Sequence, residues 1–322
     1  MTRIAIVSLR HVAEAIPLLA LSLLAALLPF YWVYPAGSLL GGMFFDVFRL
    51  RRKQTLRNIE LAWGYELDAG QRARIARAAY RHFGGVGLEL VALWRQSPAK
   101  LAARADLRDI AVVREALQGG KGVLLCTGHF GNWEVIAGAL QGAGIPLSGY
   151  AGRQQNPIVN RWINFNRARA GNLPIHKDDV KGLLAALKQN RVVAMVMDQH
   201  DSANRYFVRY FGHPASVAPG PALLARRTGA AIVFCTCLRG QDGRYQLRAQ
   251  PIACESTGDK DLDVLNLTQA IFDELERAVR AEPGQYLWMH RRWRPISDSV
   301  RLSDVNREFL ASRVPASELP PA

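Results

Sequence analysis

Cysteine is scarce in this sequence. The 322 residues hold four, Cys126, Cys235, Cys237 and Cys254, and none stands in a Cys-x-x-Cys pair. That spacing excludes a zinc site, and with three of the four in apolar runs it reads as reduced thiols in a cytosolic environment. Acidic residues are also short, 27 against 41 Lys and Arg, for a net charge of +14. Such a balance implies an anionic partner: nucleic acid, acidic lipid, a phosphorylated substrate or an acidic carrier protein. No nucleic-acid-binding motif and no internal repeat appear. A Gly-x-Ser-x-Gly elbow is missing too, and Cys126 lies in a run that reads as a buried strand, so no protein nucleophile presents itself. What remains is 49% hydrophobic, enough for one large or two small domains.

One long apolar run does occur. Ile16 to Tyr34 is interrupted only by Pro17, Ser22 and Pro29. As a helix its ~19 residues span about 28 Å, close to a bilayer core. Phe30, Tyr31, Trp32 and Tyr34 crowd its far end as an interfacial aromatic belt does. Arg49, Arg51, Arg52, Lys53 and Arg57 follow, against Arg3 and Arg10 before it, which predicts the body of the protein on the cytoplasmic side. The run is long for a cleaved signal peptide and no clear small-x-small site follows. A buried core helix shortened by Pro29 and a monotopic anchor are the alternatives. Residues 1–54 are therefore expected to be a transmembrane or membrane-anchor helix with a basic flank, residues 55–297 an α/β catalytic domain, and residues 298–322 a poorly ordered tail.

Residues 55–97 follow helical spacing through Ile75, Ala79, His82, Phe83, Val86, Leu90 and Leu93. The arginines opposite suit anionic headgroups or plain solvent. From residue 107 the pattern alternates. Strands are expected over 122–127, 145–150, 192–197, 231–238 and 245–252, and helices over 135–140, 157–170, 178–189, 219–227 and 262–281. Alternation of this kind predicts an α/β fold with a mostly parallel central sheet flanked by helices.

The chemistry centres on Gly128-His129-Phe130-Gly131-Asn132-Trp133-Glu134, a turn between a predicted strand and a predicted helix. Such crevices at the carboxyl ends of strands are where open α/β sheets bind ligands. On a continuous helix, five residues would separate His129 and Glu134 by about 140°. They meet only if the chain turns, which Gly131 and Asn132 permit. A carboxylate bonded to one ring nitrogen leaves the other as a base. With no nucleophile beside it, that base is expected to act on a substrate hydroxyl, hence acyl transfer onto an alcohol. An isolated His-x4-Glu more often marks a histidine and a carboxylate that help to cap a helix, and the context decides between the two.

Further candidates follow. Arg153 falls after a strand, where a guanidinium holds a phosphate or an oxyanion; a surface arginine is the alternative. Arg167 and Arg169 read as surface residues on type alone. Asp198 ends a wholly apolar strand, which suits a site, or a cap on the Asn204-Arg205 loop. Lys181 and Lys188 read as solvated helix faces. Gln285 to Arg294 interleaves aromatics with cations, which suits a membrane interface, a phosphorylated glycolipid or nucleic acid.

Taken together, His129-x4-Glu134, Arg57-Asn58-Ile59-Glu60-Leu61, Arg153 with Asn156-Pro157, Val180-Lys181-Gly182, Asp198-Gln199, Phe211-Gly212-His213-Pro214-Ala215, Thr228-Gly229-Ala230 and the closing Gln285–Trp293 segment resemble the late (secondary) acyltransferases of lipid A biosynthesis. These belong to the wider His-x4-Asp/Glu lysophospholipid acyltransferase superfamily. The resemblance runs over nearly the whole chain, although Arg153 stands one residue nearer the Asn-Pro pair than the family's arginine does. It implies a glycerolipid acyltransferase-like fold in the bacterial inner membrane, facing the cytoplasm. It further implies acyl carrier protein as donor, a phosphorylated lipid acceptor, and no cofactor, metal or nucleic acid. On that pattern His129 is the base and Glu134 its partner, with Arg153, Asn156, Arg169, Asp198, Gln199, Arg291 and Arg292 as substrate-binding candidates. Relatives acylate other acceptors, such as lysophospholipids and mannosylated lipids. A basic membrane or nucleic-acid-binding protein without activity is the rival from another class.

Overall fold

The structure, a computed structural model, describes residues 8–203, 205–294, 300 and 302–319. Arg3 of the charge comparison and Asn204 of the expected loop lie outside them, as do residues 298, 299, 301 and 320–322 of the tail.

The apolar run is not one helix. Proline lacks an amide hydrogen and disfavours helical geometry in the residue before it. The chain accordingly turns extended at Leu28-Pro29 and divides into α1 (Leu9–Leu27) and α2 (Phe30–Met43). Among the described residues α1 is the one helix long and apolar enough to cross a membrane. Helix α3 (Arg52–Trp63) leads to α4 (Ala69–Ala92), opened by a capping box between Asp68 and Gln71. Helix α2 crosses α4 at glycines: a Cβ on Gly37 would stand 2.3 Å from the Gly84 carbonyl oxygen, and one on Gly84 2.2 Å from that of Gly37. Helix α1 is tied down as well. Ser22 Oγ donates to Val91 O at 2.5 Å, and Arg95 Nη1 donates to Ala25 O and Leu28 O. The outer faces of α1, α2 and the turn beyond expose Ile16, Leu23, Leu24, Leu27, Trp32 and Phe48.

Beyond α5 (Pro98–Ala103), β1 (Ala105–Asp106) and α6 (Ile110–Gln118), strand and helix alternate. The series runs β2 (Val123–Thr127), α7 (Trp133–Gly142), β3 (Leu147–Ala151), α8 (Pro157–Arg169), β4 (Ile175–His176), α9 (Val180–Lys188) and β5 (Val192–Val196). An antiparallel hairpin, β6 (Tyr206–Tyr210) and β7 (His213–Val217), stands apart from the main sheet. Then come α10 (Gly220–Thr228), β8 (Ala231–Arg239), β9 (Tyr245–Ile252) and α11 (Lys260–Ala281). The seven-stranded sheet has the order β1-β9-β8-β2-β5-β3-β4, parallel except between β8 and β9. Parallel strands need both faces covered. Alternate residues of β2 do enter opposite cores, Leu124 and Cys126 with Phe272 and Leu275, and Val123 and Leu125 with Ile136 and Leu140.

The tail corrects an expectation. Helix α12 (Asp304–Ala311) is capped by Ser303 and buries Phe309 and Leu310. Asn306 exchanges hydrogen bonds with both backbone groups of Phe207 on β6. Its few apolar residues fall on one helical face, which is enough to dock it.

Candidate active site

Strand register builds the site. Strands β2 and β5 are parallel neighbours, with Thr127 opposite Val196 and the Met197 amide donating to Thr127 O. Two residues beyond each strand end therefore stand His129 and Asp198. The Asp198 carboxylate receives both polar groups of His129: Oδ1 lies 2.7 Å from Nδ1, and Oδ2 accepts from the backbone amide at 2.9 Å. Asp198 is 3% exposed. Burial pushes its carboxyl up, but the His129 charge and bonds, with help from Arg292, hold it below the ordinary carboxylate value. With Nδ1 donating to Asp198, Nε2 carries the lone pair. It faces the partly exposed side, 3.5 Å from Gln199 Nε2, with the Trp133 ring packed edge-on at 4.9 Å.

The expected partner is elsewhere. Glu134 does not reach His129 but turns, in the first turn of α7, onto Arg167 of α8. Both its oxygens are taken, Oε2 by Nε at 2.9 Å and Oε1 by Nη2. Burial lowers the Arg167 pKa, but the Glu134 charge and bond more than offset it, for a net rise. Arg167, read from residue type as a surface arginine, is thus a largely buried ion-pair partner. Removing one half of such a pair strands a charge. Glu134→Ala is expected to cost about 3–5 kcal/mol, and adding Arg167→Met should restore much of it. A urea midpoint unchanged in Glu134→Ala alone would contradict this account.

Gly131 shapes the turn between the two. Its φ of 59° is left-handed, and a Cβ there would stand 2.2 Å from Cys237 O. Its amide donates to Gln285 O and that of Asn132 to Cys237 O, so neither is free for an oxyanion. Behind the turn, His82 Nε2 lies 3.0 Å from Gly131 O and its Nδ1 2.9 Å from Tyr34 OH of α2. Burial lowers this imidazole to about 4, so it is neutral at ordinary pH. Nothing local in the sequence marks His82 as a support of the motif, since its partners are 48 and 49 residues away.

The remaining candidates separate. Arg153 is more than half exposed and pairs with Asp178 at 3.3 Å. Asn156 is no ligand by geometry. Its oxygen caps α8 at Ile158 and Val159, and its amide donates to His11 O and Glu14 on α1. Arg169 is exposed in the last turn of α8, and Arg291 is exposed in the closing segment. Arg292, expected to bind substrate, is 2% exposed. That closing segment is strapped to the motif: Phe130 bridges Tyr286, and Leu287 N donates to His129 O. Asn58 of α3 holds its far end through Trp288 O and His290 O.

An imidazole with a buried carboxylate on one nitrogen and an accessible lone pair on the other can take a proton from an alcohol. The chain is similar to several bacterial acyltransferases. It is 28% identical to the lipid A biosynthesis lauroyltransferase of Escherichia coli (strain K12) over 279 residues, covering 85% of this chain and 89% of that protein. It is 24% identical to the lipid A biosynthesis palmitoleoyltransferase of the same organism over 269 residues, 82% and 86% of the two chains. It is also 26% identical to the phosphatidylinositol mannoside acyltransferase of Mycolicibacterium smegmatis (strain ATCC 700084 / mc(2)155) over 244 residues, 74% and 76%. The match to bacterial lipid A biosynthesis acyltransferases spans residues 6–295, taking in helices α1 and α2, the whole sheet and both His129 and Asp198, and the chain belongs to that family.

Proposed function

We propose that this protein transfers a fatty acyl group from acyl carrier protein to a hydroxyl of a lipid A precursor, at the cytoplasmic face of the bacterial inner membrane. His129 is the general base. Its Nε2 takes the hydroxyl proton as the oxygen attacks the thioester carbonyl, and Asp198 stabilises the imidazolium. The tetrahedral intermediate then collapses. The carbon–sulfur bond breaks, and the thiolate leaves with the proton His129 had taken. The ester remains on the acceptor and the base is regenerated. No covalent acyl-enzyme is required. Cys126, three residues before His129, is fully buried, and burial raises its thiol far above the ordinary value.

The observation that carries this reading is the His129–Asp198 pair, one nitrogen held and the other facing outward. The exposed apolar faces of α1 and α2 support placement at a membrane, and the net charge of +14 suits an acidic carrier and a phosphorylated lipid alike. The test supplies purified protein in vesicles with labelled acyl groups on acyl carrier protein, or on coenzyme A. Vesicles carry either a phosphorylated, acylated disaccharide or a phosphatidylinositol mannoside, and products are read by mass spectrometry. One added acyl chain on the disaccharide, with the carrier-bound donor, is expected. Acylation of the mannoside alone would move the acceptor, and turnover with coenzyme A alone would move the donor. No transfer in any arm would reject the reaction.

A further inference from the structure

Arg292 is a buried guanidinium with only part of its hydrogen-bonding capacity met among the described residues. It is 2% exposed, with its central carbon 5.7 Å from the Tyr210 ring centroid and 5.3 Å from that of Phe272. Nη1 donates to Ser216 O at 2.8 Å, while Nε and Nη2 find no hydrogen-bond partner among the described residues. Burying a cation without a direct carboxylate is costly, and two aromatic faces with one carbonyl offset only part of that. Nearby Asp198 is buried and feels this charge. The strap from Phe130–Tyr286 through Leu287 N to His129 O fixes the segment that carries it against the motif.

We propose that Arg292 is a positioning residue for the transfer: its buried charge, carried on the segment strapped to the motif, keeps the His129–Asp198 couple in the neutral-imidazole, ionised-carboxylate form that accepts the substrate's proton. A substrate phosphate cannot be its target, because the side chain is closed off from solvent. The inference rests on the reading of His129 as base.

The sign follows from charge. A proton arriving on the couple is repelled by Arg292, so a neutral residue there lets the couple hold its proton to higher pH. The acid limb of kcat/KM then rises. Other groups face the couple. His290 comes from the closing segment, Tyr210 from β6 and Tyr286 from the strap, while His200 of the loop after β5 donates its amide to His290 Nε2 and the Arg294 charge acts on His290 and His200. Glu276 of α11 lies beyond Tyr210, bonded to the Phe211 amide, Arg209 and Arg280, and the Glu134–Arg167 pair occupies α7 and α8. Burial takes His290 down to about 4, so it produces no limb near neutrality, and burial lowers His200 as well.

The test compares full-length wild type with Arg292→Met, Arg292→Gln and Arg292→Lys in the vesicle assay, folding being checked by circular dichroism. Arg292→Met and Arg292→Gln are expected to move the acid limb up by about one pH unit, with KM for the lipid within about twofold. Arg292→Lys should leave the limb within about 0.3 unit of wild type. A folded neutral variant with its limb unmoved or lowered, or with the loss confined to KM, overturns the proposal. Should neither neutral variant fold, Arg292→Lys decides: a limb raised by about a unit in a variant that keeps the charge overturns it, and an unmoved limb upholds it. His129→Ala separates the two levels, since its retained activity would remove the base reading itself.

Discussion

Asp198→Asn is expected to leave a folded protein with kcat lowered by up to ~10⁴, the scale seen when a Ser-His-Asp triad loses its carboxylate. Two hydrogen bonds force the result. The His129 amide can only donate, so the carbonyl oxygen of the new side chain must stay where Oδ2 is now. That leaves the new NH₂ group facing Nδ1, which must then accept. The proton moves to Nε2, and the nitrogen that should deprotonate the acceptor no longer has a lone pair. KM should change little, because the carboxylate is buried and touches the imidazole rather than a ligand. Steady-state kinetics on the purified variant check this. Activity within tenfold of wild type would mean that Asp198 only ties two strand ends together.

His129→Ala is the second large effect. Loss of a general base removes ~10²–10⁴-fold in turnover. The variant still offers Asp198 a backbone amide, and the Trp133 ring loses its edge-on neighbour but keeps its place in α7. Unfolding therefore should not account for the loss. Because the ring is only partly buried, added imidazole should recover part of the rate. Near-normal turnover in the unsupplemented variant would show that some other group accepts the proton.

Glu134 behaves differently from Asp198. In the sequence only Glu134, five residues away, read as the partner of His129, while Asp198, sixty-nine residues away, read as a site residue or a loop cap. Local spacing favoured the near one. A chain that turns at Gly131 can bring residues 129 and 134 close, but it also starts a helix. The first turn of α7 then presents Glu134 to α8, where Arg167 waits. The neighbour of His129 is set instead by which strand lies beside β2. That strand is β5, and the register of Thr127 with Val196 delivers Asp198.

Other elements divide in the same way. The alternating apolar runs marked β2, β3, β5, β8 and β9 and the long helices between them, because burial on both faces writes itself into hydrophobicity. The hairpin β6–β7 and the two-residue strands β1 and β4 escaped, being too short or too mixed to stand out. Pro29 was visible as an interruption, yet the length of the run outweighed it in the reading, and the backbone broke there. Arg292 reads, letter by letter, like the exposed Arg291 beside it; a single step along the strap turns one outward and the other between two rings.

The amino-acid order by itself determined the α/β class, the apolar amino-terminal segment, the strong basic charge and the placement of an imidazole at a strand's carboxyl end. All of these are patterns of near neighbours, which the chain carries whether folded or not. Only the tertiary structure decided which acid serves His129, that Glu134 is spent on Arg167, and that Arg292 lies inside. Those pairings join residues far apart in the chain, and they depend on strand order, register and helix packing that no local period encodes.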